Sequence, residues 1–248
     1  MHRVGQLKSC EGMFAHRDLH HSAIWLTESP IIAMEQHRAT VTFHFKAPDD
    51  LWLQRTLTEP TLKVMVLCAA NNTGMQDICF PHQSELKVNG DDVKANLRGL
   101  KNKPGSTRPV DITHALRLNK PAASNQVDFT YALTRQRYYV GVYVCKITPV
   151  SDLVDKVAAT GKRISKSSVI TELTRQANDP DVVATSQVVS LKCPLSYMRL
   201  KTPVRGIGCT HIQCFDVLSY LQLQEQGPQW LCPICNRSVT FEQLAMDE

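Results

Sequence analysis

The chain has no long apolar stretch. Its longest uninterrupted apolar run, Val64 to Ala70, is seven residues, and a helix needs about 20 to cross a bilayer. The first residues, Met1-His2-Arg3-Val4-Gly5-Gln6, lack the apolar core of a secretory signal, so an intracellular protein is expected. No internal repeat and no low-complexity tract is present. Strong charge of one sign is also missing: 28 basic against 23 acidic residues leave a net charge of +5 over 248 residues. That balance permits contact with nucleic acid or acidic proteins and demands neither. Hydrophobic content of 43% and charged content of 21% suit a globular chain long enough for one large core or two modest ones.

Cysteine, by contrast, is abundant. Nine cysteines, an odd number, in a reducing compartment argue against a disulfide framework and towards metal binding wherever they cluster. Cys10, Cys68, Cys79 and Cys145 are scattered, and the last three are expected in or beside strands. Cys193, Cys209, Cys214, Cys232 and Cys235 crowd the C-terminal quarter. The residue pattern changes over the same interval, which predicts two domains.

Residues 1–35, which carry His16, His20 and His21, show no clean period and are left unassigned; His20-His21 reads as a surface pair and not a metal site. From Ala39 the chain alternates, with Val41, Phe43 and Phe45 on one face and Thr42 and His44 on the other, as a half-buried strand does. Leu62–Cys68 reads as a more buried strand, with a turn at Asn71-Asn72-Thr73-Gly74. Further strands are predicted at Ile78–Phe80, Glu85–Val88 (closed by Asn89-Gly90), Val127–Leu133 and Tyr138–Ile147. Short strands punctuated by turn residues point to a β-sandwich. Beyond Pro149 a helix is expected over Ser151–Ala159, capped by Ser151, and another over Ser168–Ala177, stopped by Asn178-Asp179-Pro180.

Zinc takes tetrahedral sets of cysteine and histidine, and structural sites fill all four positions from the protein. Cys232-Pro-Ile-Cys235 is the two-residue-spaced pair that brings both thiolates to one ion. Cys209-Thr-His211 is a second close pair, 20 residues upstream. Together these four residues are expected to hold one structural Zn2+. No cysteine is expected to act as a catalytic nucleophile, because an activated thiol needs an adjacent base and the nearby His211 has ligand spacing. Nor does a basic recognition helix lie beside the metal, as a zinc-dependent DNA reader would require.

The order of these ligands resembles a RING finger, in which eight ligands hold two zinc ions in a crossed arrangement. On that pattern Cys209, His211, Cys232 and Cys235 form one complete site. The other would need Cys193, Ser196, Cys214 and Val217, and valine binds no metal. One zinc is therefore expected, with Cys193, Ser196, Cys214 and Asp216 forming a metal-free second corner held by hydrogen bonds and apolar contact. A single-zinc RING frame with Cys-Pro-Leu-Ser at 193–196, Cys209 to Asp216, and Trp230-Leu-Cys-Pro-Ile-Cys235 is similar to the SP-RING of Siz/PIAS SUMO ligases. Pro109-Val110-Asp111-Ile112-Thr113 resembles the Pro-Ile-Asn-Ile-Thr signature of the PINIT domain in the same family, and residues 93–105 and 138–147 resemble its fungal Siz members.

The resemblance implies an α+β chain. A PINIT-like β-sandwich would span 36–150, a helical connector 151–187 and the SP-RING 188–240, with 241–248 beginning a truncated C-terminal extension. It implies a nuclear SUMO-protein ligase whose SP-RING binds a SUMO-charged conjugating enzyme through Leu195, Pro233 and Leu218, with Phe215 and Leu221 on the same helix reading as candidate contacts or core. Its PINIT-like domain would orient the protein substrate. The basic residues Arg98, Lys101, Lys103 and Arg108 offer a weak nucleic-acid contact or a solvated loop. The alternative is a non-catalytic nuclear scaffold using both domains for protein binding. No SAP-like DNA-binding module and no SUMO-interacting motif are read in the sequence.

Overall fold

A computed structural model of the chain describes residues 23–31, 38–46, 51–70, 77–101, 106–120, 122–134, 136–177 and 188–248. Cys10, the three N-terminal histidines, the Asn71–Gly74 turn, Lys103 and the Asn178-Asp179-Pro180 stop lie outside these residues. Two compact units are formed, Met1–Thr148 and Pro149–Glu248.

Among its described residues the N-terminal unit contains eight strands: β1 (Ala23–Ile31), β2 (Arg38–Lys46), β3 (Leu62–Ala69), β4 (Gln83–Val88), β5 (Asp91–Asp92), β6 (Val110–Asp111), β7 (Ser124–Ala132) and β8 (Tyr138–Lys146). They make two antiparallel four-stranded sheets, ordered β1-β8-β3-β6 and β2-β7-β4-β5. Phe43, Leu86, Val127 and Phe129 from one sheet share a buried cluster with Val64, Val66, Val140 and Val142 from the other, so the unit is a β-sandwich, as the alternation predicts. The interior strand β8 is buried along almost its whole length, which explains why its sequence is a nearly continuous apolar run. Gly141 is needed in it: a Cβ there would sit 2.7 Å from the ring of Tyr143, two residues on and itself fully buried. At the Asn89-Gly90 turn both residues take positive φ, 53° and 92°, the requirement of a tight two-residue hairpin turn.

Two strand expectations change. The unassigned N-terminal segment contains β1, paired along β8 with a bulge between Trp25 and Thr27. Edge pairing of this kind needs only main-chain groups, so it leaves little trace in residue pattern. Ile78–Phe80 is not a ladder strand. Cys79 donates its amide to the Cys68 carbonyl at 2.8 Å, while Ile78 and Phe80 drop into the core.

The C-terminal unit contains helices α2 (Val150–Ala159), α3 (Lys166–Ala177) and α4 (Val217–Gln226), and strands β9 (Arg163–Ile164), β10 (Pro203–Gly206), β11 (Phe215–Asp216) and β12 (Leu244–Asp247); a five-residue helix α1 (Leu51–Arg55) lies in the first unit. The sheet runs β11-β10-β12-β9, with only β12 and β9 parallel. Pro149, not Ser151, stands at the N-cap of α2, with no side-chain cap; the fixed φ of proline starts the helix instead. Leu153 and Val157 of α2 are buried in one cluster with Val204, Phe215, Tyr220 and Leu244. The first helix of the supposed connector is thus part of this unit's core. The supposed start of an extension is likewise built in: Leu244 and Ala245 are buried, and β12 pairs on both sides.

Candidate metal centre

The C-terminal unit holds two turns of the same construction. In the first, Cys193-Pro-Leu-Ser-Tyr-Met198, the Tyr197 amide donates to the Cys193 carbonyl and the Cys193 amide to the Met198 carbonyl, each at 2.8 Å. In the second, Cys232-Pro-Ile-Cys-Asn-Arg237, the Asn236 amide donates to Cys232 and the Cys232 amide to Arg237, at 2.9 and 2.8 Å. Tyr197 and Asn236 take the same left-handed φ, 58° and 57°. Each turn is closed by one β-bridge, Lys192 with Arg199 and Leu231 with Ser238. Leu195 and Ile234, at equivalent places, both pack partly into the core. The turns differ at one chemically decisive position, where the first has Ser196 and the second Cys235.

The second turn joins the Cys209–His211 loop. The ligand atoms of Cys209, His211, Cys232 and Cys235 all lie within 4.8 Å of one another, with Cys209 Sγ 3.8 Å from Cys235 Sγ and His211 Nε2 3.2 Å from Cys232 Sγ. His211 Nδ1 lies 2.8 Å from the Gln213 carbonyl. A carbonyl only accepts, so the ring proton sits on Nδ1 and the Nε2 lone pair faces the thiols. Burial, and secondarily Arg205 and Arg237, hold the imidazole pKa below its ordinary value. Burial and the neighbouring Cys232 push Cys209 up to about 12. Three thiols and a neutral imidazole crowded so closely oppose ionisation together unless a cation joins them. This donor set fits zinc. Gly206 is required beside it, because a Cβ there would fall 2.5 Å from Val239 and 3.2 Å from Cys209 Sγ.

The second corner brings together only part of the expected set. Cys193 Sγ accepts from the amides of Leu195 and Asp216 at 3.4 and 3.3 Å. Burial alone would raise the Cys193 pKa, but these amides, with the amide and side chain of Ser196, outweigh it and lower the value. The Asp216 carboxylate has another duty. It caps α4 through the amides of Leu218 and Ser219, and its second oxygen accepts from Lys201 and Thr202. Cys214 turns elsewhere, towards the Ile212 carbonyl at 3.6 Å and the Asp247 carboxylate. Cys193, Ser196 and Asp216 therefore form the corner, and Cys214 belongs to a neighbouring group. Val217, in the place of the sixth ligand, is fully buried.

Of the apolar residues assigned to partner binding, Leu195 and Pro233 are half-buried and Leu218 is 39% exposed. Phe215 and Leu221 are core, at 0% and 3%. Trp230 packs edge-on against Tyr220, ring centroids 6.0 Å apart. In the N-terminal unit, Val110 and Asp111 of the Pro109–Thr113 motif are β6, paired with Met65 and Val66. The Ile112 amide donates to the Val64 carbonyl at 2.9 Å, and Thr113 Oγ1 accepts from the Val64 amide at 2.8 Å. Asp111 Oδ1 accepts from the Thr113 amide at 2.9 Å. The motif latches the edge of β3. Arg98 of the basic stretch is tied to the His82 carbonyl.

Residues 17–146 match the PINIT domain and residues 189–238 the MIZ/SP-RING zinc finger. The chain is 39% identical over 215 residues to the E3 SUMO-protein ligase pli1 of Schizosaccharomyces pombe, covering 85% of this chain and 29% of that protein. It is 34% identical over 190 residues to the human E3 SUMO-protein ligase PIAS2, covering 73% of this chain and 30% of that protein. The crystal structure of the Saccharomyces cerevisiae SUMO E3 ligase SIZ1 superposes with a TM-score of 0.79 at 27% identity, covering 98% of this chain and 86% of that one. The chain thus spans under a third of the length of these two curated relatives.

Proposed function

Because the chain belongs to the PINIT-domain family and carries a MIZ/SP-RING zinc finger, we propose that it is a SUMO-protein ligase that acts by holding its reactants. The observation that carries this reading is the pair of matched turns, one ending in a ligand cysteine and the other in Ser196. With Val217 buried in the core, a second ion has no complete ligand set among the described residues. One zinc, bound by Cys209, His211, Cys232 and Cys235, would supply the cross-link that fixes the ligand loop to the second turn and contribute folding free energy there.

The chain's own residues then do the binding. Leu195 and Pro233 on the two turns and Leu218 on the first turn of α4 present an apolar face for the conjugating enzyme that carries SUMO as a thioester. The substrate lysine amine attacks the thioester carbonyl, the isopeptide bond forms, and the conjugating enzyme's thiol leaves. The thiols of Cys193, Cys209 and Cys232 are buried and take no part in the transfer. Rate is gained by reducing the mobility of the thioester and bringing the lysine to it. The β-sandwich would orient the protein substrate.

Single-turnover discharge of SUMO from its charged conjugating enzyme tests this. The chain should accelerate discharge, and Leu195→Ala and Pro233→Ala should each lower the acceleration about tenfold, the loss of about 1.4 kcal/mol of binding, without changing zinc content. Equal acceleration of a ubiquitin-charged enzyme, or none with SUMO, refutes the assignment.

A further inference from the structure

Arg205, on β10, is 5% exposed and enters neither the ligand set nor the apolar face. Its guanidinium is forked. Nε donates to the Asp247 carboxylate, and Nη1 donates to the main-chain carbonyl of His211 at 2.6 Å. Both side chains of the ion pair are sequestered, at 7% and 12% exposure. The Cys214 thiol bonds the same carboxylate. Residues 207–214 form no helix or strand, so the loop bearing Cys209 and His211 depends on side-chain anchors such as this one. Asp247 comes from β12, beyond the residues matched to the zinc finger.

We infer that Asp247 is a positioning residue of the metal centre: it aligns the Arg205 guanidinium, which holds the His211 carbonyl and so the imidazole. The inference rests on the zinc reading above. A forked guanidinium between a carboxylate and a carbonyl fixes both direction and distance, and groups that orient a metal ligand from outside its coordination sphere govern how firmly the metal is held. Without the carboxylate, the arginine head is a buried charge that must turn towards water, and the carbonyl is released. The metal module is then complete only when β12 is in place.

The test is zinc transfer from the whole, zinc-loaded chain to a colorimetric chelator, together with the visible spectrum of the cobalt(II)-substituted chain. Asp247→Asn should weaken zinc retention by roughly 10- to 100-fold and alter the cobalt spectrum. Glu248→Gln removes the ion pair with Arg163 in the same terminal segment and should change neither. A role in general stability alone would speed amide exchange in α4 and zinc transfer together while leaving the cobalt spectrum as in wild type, and that result overturns the inference. If Asp247→Asn does not fold, Asp247→Glu, which keeps the charge but displaces the carboxylate, should show a smaller loss of retention; wild-type retention in that variant overturns it too. A wild-type chain that takes up no zinc overturns the metal reading and this inference with it, whereas firm zinc in wild type and Asp247→Asn alike overturns this inference alone.

Discussion

The main-chain amide of Asp216 donates to the Sγ of Cys193 at 3.3 Å, while the carboxylate of the same residue takes four further amides, two at the start of α4 and two from Lys201 and Thr202. One residue thus ties the first turn, the loop before β10 and the central helix together without a metal. Loss of an N-cap costs about 1 kcal/mol, and part-buried amides left without an acceptor add about 1–3 kcal/mol. Asp216→Ala should destabilise the C-terminal unit by about 3 kcal/mol, and Asp216→Asn, which keeps one acceptor, by about 1 kcal/mol. Hydrogen exchange of the α4 amides reads both values. An Ala variant as protected as wild type would remove the corner from any account of how this unit is held.

Metal counting separates the two turns. Ser196→Cys converts the first into a Cys-x-x-Cys turn like the second, yet Val217 still supplies no ligand, so elemental analysis should return one zinc per chain, as in wild type. Cys232→Ala should abolish binding and unfold the C-terminal unit, because binding and folding are one equilibrium there. Cys193→Ala should leave one zinc and cost about 1–3 kcal/mol through amides left without an acceptor. Two zinc ions in the Ser196→Cys chain would mean that some other side chain completes a second site.

Much of this was legible in the sequence, for identifiable reasons. Cys209, His211, Cys232 and Cys235, which the fold brings together, sit at spacings that suit zinc, and Val41-x-Phe43-x-Phe45 alternates because β2 has one face in the core. The expectation of a second corner named Cys193, Ser196 and Asp216, which the fold brings together. It misplaced Cys214, whose partner Asp247 is 33 positions away and comes from a strand with no warning pattern. Strands β9 to β12 are two to four residues long, too short for a period to appear. The connector was misread because an amphipathic helix announces that it has a partner and does not say which one. Only the fold pairs Leu153 and Val157 with Tyr220 and Leu244. Arg205 was missed altogether, since a lone arginine in a sequence looks like surface.

Alkaline pH should weaken the N-terminal unit. Burial, then the neighbouring Cys79, holds the Cys68 pKa well above its ordinary 9.0, and burial, then Cys79, raises Tyr138 above 10.0. Groups whose folded pKa is raised lose their protons first in the unfolded chain. Their contribution is therefore whole below about pH 9 and is lost as the pH climbs from there towards the folded values. Each contributes up to about 1.4 kcal/mol per pH unit. Urea titrations followed by far-ultraviolet circular dichroism should show a flat midpoint from pH 7 to 8.5 and a clear fall by pH 10. Cys68→Ala should be weaker throughout but shallower in its pH dependence. A midpoint unchanged at pH 10 would exclude the buried thiol as a titrating group.

The Pro109–Thr113 motif offers a sharper question, because its likeness to a family signature invites a role in substrate binding while its hydrogen bonds describe a latch. Thr113 Oγ1 is the acceptor for the amide of Val64, a residue with 0% exposure. Thr113→Val keeps the shape and removes the oxygen, so that amide loses its partner at a cost of about 2 kcal/mol. Asp111→Ala removes the exposed bond to the Thr113 amide and should cost less, about 1 kcal/mol. If the latch is the whole role, both variants lower the stability of the N-terminal unit in that order. On the proposed function, in which the C-terminal unit holds the charged conjugating enzyme, discharge of SUMO to free lysine should continue at the wild-type rate. A role in substrate contact predicts a different split: Asp111→Ala, the milder change for stability, would reduce modification of a protein substrate while Thr113→Val spared it. Comparing the two variants in a substrate-dependent and a substrate-independent assay decides between them, because stability and contact rank the two residues in opposite order.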